Sequence, residues 1–200
     1  TDIGLMTTNE TLANDVSEFF NVITGHSVPS DYRNLITAPR DMRNQLIRFI
    51  EQEADNARNG LPAGIFIKVN SLEDSEIIYA LYRASQSGVT IKLVVRGICC
   101  LRPGRIGLSE NIEVISIVGD FLEHSRIYHF HNNGSTRTYS GSADMMVRSF
   151  DKRLESLFKV ESPLLERQLM NIIAFNLRDN VNAYVMQEEG TYIAKHPVGD

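Results

Sequence analysis

One histidine, two arginines and a Gly-Ser pair stand at the ends of apolar runs in this chain. His124 and Arg126 lie in Phe121-Leu122-Glu123-His124-Ser125-Arg126, shortly after the apolar run 114–118. Arg96 closes the run 89–96, and Gly141-Ser142 follows Tyr139-Ser140. These residue types suit the holding and transfer of a phosphoryl group. An imidazole nitrogen can attack phosphorus or pass a proton, guanidinium neutralises equatorial oxygens, and Gly-Ser backbone amides can receive an oxyanion.

The remaining candidates carry plain structural alternatives. Arg126 reads equally well as an ion-pair partner of Glu123 or Glu155. Arg153, like Arg102 and Arg148, also suits a solvated or structural role. Lys68 and Asn70, in Lys68-Val69-Asn70-Ser71-Leu72, sit at a predicted strand end, where a snorkelling lysine and a helix cap explain them without a ligand. His129 and His131 alternate with Tyr128 and Phe130 on one strand face, but a third ligand is wanting and no metal site is expected. Adjacent Cys99 and Cys100 read as packing and form no disulfide framework.

Strands and helices must position these groups. The run 34–38, ended by Pro39, predicts a strand. Met42, Leu46, Phe49, Ile50 and Ala57 then fall at helical spacing up to Asn59-Gly60. Residues 64–70 predict a second strand, and Ser71-Leu72-Glu73-Asp74 resembles a capping box that opens a helix with Ile77, Ile78, Leu81, Tyr82 and Ser85 on one face. The near-continuous apolar run at 89–96 predicts a strand buried on both sheet faces, the pattern of parallel pairing with crossover helices. Beyond Pro103-Gly104 the pattern becomes 112–118, 127–131, 137–141 and 154–160, with the turn Asn132-Asn133-Gly134 between two of them. Ser162-Pro163 opens a last helix, and the stretch after Asp179-Asn180 reads as a loosely structured tail. The expected class is α/β, a mixed and mostly parallel sheet flanked by helices on both faces, with ligands at the carboxyl ends of strands.

The composition is that of one ordinary globular domain, 42% hydrophobic and 22% charged. The net charge is −5, yet residues 92–153 carry nine Lys/Arg against six Asp/Glu. Positive charge thus gathers where the motifs lie, as in a cleft that focuses its field on phosphates. No apolar run reaches about 18 residues and no leader peptide is visible. The entry at Thr1-Asp2-Ile3-Gly4 without a methionine predicts a piece of a longer protein.

Several separated motifs bear on identity. They are Asp2-Ile3-Gly4-Leu5, the block Ile91-Lys92-Leu93-Val94-Val95-Arg96-Gly97-Ile98-Cys99-Cys100, Leu122-Glu123-His124-Ser125-Arg126, Ser142-Ala143-Asp144-Met145-Met146-Val147-Arg148 and Asp151-Lys152-Arg153-Leu154-Glu155. Together they resemble the C-terminal, phospholipase D-like domain of long-chain polyphosphate kinase, over nearly the whole chain. The resemblance implies that residues 33–180 form that domain, after a lead-in at 1–32 from a preceding domain and before the tail at 181–200. It implies reversible transfer of the ATP γ-phosphate to inorganic polyphosphate through a phosphohistidine located in a preceding domain. Arg96 and His124 would contact the nucleotide phosphates and His124 would also be catalytic, with Arg126, Arg153, Lys68 and Asn70 as weaker candidates. ATP or ADP would be substrate, with Mg²⁺ in the complete enzyme. The parent would be a cytoplasmic homo-oligomer with peripheral membrane association and no nucleic-acid partner.

The chain also departs from the pattern that it resembles. Asp120 stands where an arginine is usual, Met145 where tryptophan is, and Ser149-Phe150 where Asn-Leu is. Against the phospholipase D signature, Arg126 replaces the lysine, His131 falls at the aspartate position, and Gly141-Ser142 comes three residues late, which disfavours phosphodiester hydrolysis. A phosphodiesterase and a non-catalytic packing or oligomerisation module stay open as alternatives.

Overall fold

The computed structural model describes residues 2–28 and 31–196. After α1 (Glu10–Ile23) the chain enters β1 (Leu35–Ala38), α2 (Met42–Arg58), β2 (Gly64–Val69), α3 (Ser75–Gln86) and β3 (Thr90–Val95). It continues through β4 (Ile112–Ile117), β5 (Ile127–Phe130), β6 (Arg137–Gly141), α4 (Val147–Asp151), β7 (Glu155–Lys159) and α5 (Pro163–Arg178), and ends with β8 (Ala183–Met186) and β9 (Tyr192–Ala194). All nine strands form one sheet in the order β1-β7-β6-β5-β2-β3-β4-β8-β9.

Helices cover both faces, as expected. Met42, Leu46, Ile50 and Ala54 recur every four residues on α2, and Ile77, Leu81 and Ala84 do the same work on α3. They pack with Ile65, Ile67, Ile91, Leu93, Tyr128 and Phe130 on one side of the sheet. Leu169 and Ile173 of α5 pack with Ile127, Val160 and Phe66 on the other. Alternation along β2 therefore sends Ile65, Ile67 and Val69 toward α2 and α3, and Phe66 and Lys68 to the opposite face.

The expectation of a mostly parallel sheet is corrected. Only β2–β3 and β3–β4 are parallel; the other six neighbouring pairs are antiparallel. The apolar, doubly buried runs that signal parallel pairing are confined to the centre of the sheet. Beyond β4, short connections dictate hairpins. Between β5 and β6 a 3-10 turn at Asn132–Gly134 reverses the chain, with φ of 45° and 50° at Asn132 and Asn133. Asparagine tolerates this left-handed region better than most residues.

Other differences have local causes. The stretch expected as a loose tail supplies β8, paired with β4, and β9, paired with β8. The expected lead-in supplies α1, whose Asp15 carboxylate accepts the Arg33 and Asn34 amides and so anchors the entry to β1. Residues 1, 29, 30 and 197–200, which belong to that lead-in and tail, lie outside the described residues. The cap of α3 is Asp74 rather than a box begun by Ser71: its carboxylate accepts the Ile77 amide at 3.1 Å. Ser71 is occupied instead in a bridge, its carbonyl accepting the Met145 amide at 3.1 Å.

Close approach of β6 and β7 explains Gly141. A Cβ there would stand 2.0 Å from the Ser156 carbonyl oxygen and 2.9 Å from the Leu157 Cα. Both are backbone atoms that cannot swing aside. Gly141→Ala is expected to destabilise the fold by about 3 kcal/mol, the upper end of overpacking costs, and a thermal or urea melt would register the loss. An unchanged midpoint would mean that β6 and β7 separate freely.

Candidate functional site

Sheet polarity brings the candidate residues together. Asn70 follows β2, Arg96 follows β3, Asp144 follows β6, and the segment 123–126 leads into β5, which runs opposite to β2. All four points therefore lie at one end of the sheet. Gly97 permits the close approach: its amide donates to the Asn70 carbonyl at 2.8 Å, and a Cβ on it would meet that same oxygen at 3.0 Å.

A buried carboxylate ties the cluster. Asp144, 8% exposed, accepts Arg126 Nε on Oδ1 at 3.1 Å and Arg126 Nη2 on Oδ2 at 3.0 Å, a two-pronged guanidinium contact. Its Oδ1 also accepts the Asn70 backbone amide at 2.7 Å and the Asn70 side-chain amide at 3.3 Å. Asn70 then reaches outward on its other side, its Oδ1 accepting Arg96 Nε at 3.0 Å. Arg126 is thus an ion-pair residue, but its partner is neither Glu123 nor Glu155.

His124 rests on this framework and is bridged to the start of the chain. Its Nδ1 lies 2.9 Å from Asp2 Oδ2, and its Nε2 lies 3.3 Å from Arg126 Nη2. An ionised carboxylate only accepts, so the proton of a neutral ring belongs on Nδ1 and Nε2 presents its lone pair. The same hydrogen bond, followed by one from the Ile3 amide, holds the Asp2 carboxyl below the ordinary aspartate range. The His124 carbonyl accepts from Arg126 Nη1 and from the Asn70 side-chain amide, at 3.2 and 3.3 Å.

Lys68 secures the loop from below. Its buried ammonium donates to the Ser125 carbonyl at 3.0 Å and to Ser125 Oγ at 2.9 Å, with Glu123 Oε2 at 3.7 Å. Burial pushes its pKa down, only partly opposed by the Glu123 charge. With its donors turned to the loop, Lys68 positions residues 123–125 rather than facing the opening. Arg153 is exposed and its side chain makes no hydrogen bond or ion pair among the described residues, so this structure does not join it to the cluster.

Beside Asn70 and Arg96 a cleft of about 560 Å³ opens, walled by the segment 117–122. Asp120 lines it, and Phe121 and Leu122 are 79% and 59% exposed. The Gly141-Ser142 amides do not form the anticipated oxyanion pocket, because the Ser142 amide is spent on the Ser156 carbonyl at 3.0 Å. His129 and His131 belong elsewhere: His129 Nδ1 meets Thr138 Oγ1 at 2.7 Å in the sheet, and His131 accepts from the Gly134 amide in the turn. Among the described residues no group of three His, Cys, Asp or Glu side chains is placed to hold a metal ion. Likewise, no helix among them is long and apolar enough to cross a membrane.

Sequence reasoning missed Asp144 and Asp2 as members of the site. Asp144 had a usable signal, an acidic residue just past a strand end, like Asn70 and Arg96. Asp2 had none, since 122 residues separate it from its partner. The Asp144 arrangement is testable. Asp144→Ala leaves the Arg126 charge buried at 8% exposure, and breaking such a pair costs about 3–5 kcal/mol. Asp144→Asn keeps an acceptor and should lose less. Equal melting of both variants and the parent chain would show that the carboxylate is dispensable.

Known proteins place the chain. The family model described as polyphosphate kinase C-terminal domain 2 matches residues 35–199. A polyphosphate kinase of Synechocystis is 49% identical over 197 residues, 98% of this chain and 27% of that protein. The chain thus spans about a quarter of the length of such a relative. The crystal structure of polyphosphate kinase from Porphyromonas gingivalis superposes with a TM-score of 0.93 at 37% identity, covering 98% of this chain and 30% of that one. Nuc from Salmonella typhimurium, a phospholipase D family member, superposes at 0.55 with 15% identity, over 76% of this chain and 96% of its own, a likeness of fold alone. With the match running from β1 past β9 and taking in every residue of the cluster but Asp2, the chain belongs to the polyphosphate kinase C-terminal domain family.

Proposed function

We propose that this chain is the phosphate-holding half of an ATP-polyphosphate phosphotransferase, whose phosphorylated histidine is supplied by a preceding domain of the same polypeptide. The convergence of Arg96, Asn70, His124 and Arg126 on one end of the sheet, braced by Asp144, is the observation that carries this reading. Arg96 is the group free to meet substrate. Its Nε is held by Asn70 and its two terminal nitrogens have no partner among the described residues, so the fork is oriented and unspent.

The reaction follows from these roles. The incoming histidine nitrogen attacks γ-phosphorus in line; an N–P bond forms as the bond to the ADP oxygen breaks. Arg96 stabilises the charge spread over the transferring group. His124, its ring set by Asp2 and lying beside Arg126, takes up a proton from solvent or from the entering group and passes it to the departing oxygen. Transfer from phosphohistidine to the end of a polyphosphate chain completes the cycle, and the reverse direction regenerates ATP.

Among the described residues no group of acidic, imidazole or thiol side chains is placed to hold a divalent cation. Asp144 is committed to Arg126 and Asn70, and Glu123 faces Lys68. Mg²⁺ is therefore read as arriving on the nucleotide phosphates, and no step here depends on it. The complete polypeptide is read as a cytoplasmic homo-oligomer with peripheral membrane contact. Phosphodiester hydrolysis is disfavoured, because Arg126, in the place of the signature lysine, is bound by Asp144.

In the complete polypeptide, His124→Ala and Arg96→Ala are each expected to lower ATP formation from ADP and polyphosphate by about 10²–10³-fold. Thermal stability should change little, since His124 is partly exposed and Arg96 spends one side-chain nitrogen. Turnover within twofold of the parent for His124→Ala would remove the proposed role of that residue.

A further inference from the structure

A second cationic place lies away from the His124 cluster. A groove of about 460 Å³ runs between α2 and the edge of the sheet, lined by Arg40, Arg48 and Arg137 together with Tyr32 and Phe49. Arg137 opens β6, the strand whose far end leads to Asp144, and no lining residue touches the cluster described above. The groove therefore needs an explanation of its own.

Its guanidinium groups are held in place but underused. Arg137 lies over the Phe49 ring at 4.9 Å, and Phe49 in turn stacks on Tyr139 at 5.6 Å and meets Phe130 edge-on. Arg40 lies over Tyr32 at 5.4 Å. Stacking of this kind fixes the plane of a guanidinium without consuming its hydrogens. Arg137 makes no hydrogen bond or ion pair by its side chain among the described residues, and Arg48 spends only Nε, on the Asn44 carbonyl at 3.3 Å. Two carboxylates, Asp31 and Asp41, line the groove as well, and each already meets a partner there. Asp31 pairs with Arg40, Asp41 accepts from the Gln45 amide, and buried Glu53 accepts the Gly64 and Asn132 backbone amides. Arg48 and Arg137 thus bring two guanidinium groups with unspent hydrogens to one groove.

We propose that this groove binds a phosphate chain, at a site separate from the phosphoryl-transfer cluster. Phosphate oxygens match the fork geometry of arginine, and a chain of them spans several forks at once. A nucleobase is not called for, because the aromatic faces already carry Arg137, Tyr139 and Arg40. Free condensed phosphate therefore suits the groove better than the phosphate tail of a nucleotide. The inference draws its ligand class from the chemistry of the groove and does not require the proposed catalytic roles.

The test is calorimetric titration of the complete polypeptide with inorganic tripolyphosphate, and separately with diphosphate and ADP. Arg48→Gln/Arg137→Gln is expected to bind one tripolyphosphate fewer per chain, whereas Arg96→Ala retains that site. The single Arg48→Gln variant, altered on an exposed part of α2, should weaken it by about tenfold, the scale of a charged hydrogen bond. It keeps the question answerable should melting show the double variant unfolded. An unchanged stoichiometry and affinity in folded variants would overturn the proposal. ADP binding there more tightly than diphosphate would overturn the choice of free phosphate as ligand. If instead the groove site disappears with the arginines while Arg96→Ala and His124→Ala leave phosphotransfer intact, the groove stands and the catalytic reading falls.

Discussion

The organisation of the site rests on one buried carboxylate. Asp144 has two oxygens and receives four donors, two from Arg126 and two from Asn70. Neither charge is tolerable alone at 8% exposure, since desolvation penalises each and only their pairing offsets it. The pair therefore fixes where Arg126 lies, and Arg126 lies against the ring of His124. Asn70 transmits the same constraint in the other direction, to Arg96. A residue to which the proposed function assigns no substrate contact thus sets the spacing between the two to which it does.

That constraint works only because of how the strands are directed. Parallel pairing aligns the carboxyl ends of β2 and β3, and the antiparallel insertion of β5 and β6 brings the start of one strand and the end of another to the same end of the sheet. A wholly parallel sheet would have carried the segment 123–126 to the opposite end. The mixture that departs from the expected topology is what assembles the cluster.

Legibility in the sequence followed the strength of local patterning. The apolar runs of β2, β3 and β4, the helical spacing of α2 and the Ser162-Pro163 start of α5 all read correctly, because burial on one or both faces leaves a periodic trace. The strands β8 and β9 left little, being short strands at one margin of the sheet with Tyr184, Tyr192 and Ile193 turned to solvent. In α1 the apolar residues Val16, Phe20 and Ile23 are exposed, so its pattern does not announce a core-facing helix. For the cluster, the place of Arg96 at a strand end was readable from the apolar run before it, whereas His124 was singled out by the motif resemblance. The function of Arg126 was not readable, because choosing among Glu123, Glu155 and Asp144 requires knowing which strands are neighbours.

Charge within the cluster is balanced. Lys68, Arg96 and Arg126 bring three positive charges, and Glu123, Asp144 and Asp2 bring three negative ones, each in contact with the cluster. The excess of basic residues over 92–153 is therefore not concentrated here, and part of it, Arg137, lines the separate groove. Asp120 adds a further negative charge to the wall of the cleft. What remains unspent is chiefly the fork of Arg96, beside the partly exposed ring of His124. A triphosphate carries several charges and needs more than one guanidinium to replace its hydration. Under the proposed function the cluster is therefore read as one wall of a site, locally neutral, with the remaining cations assigned to the preceding domain.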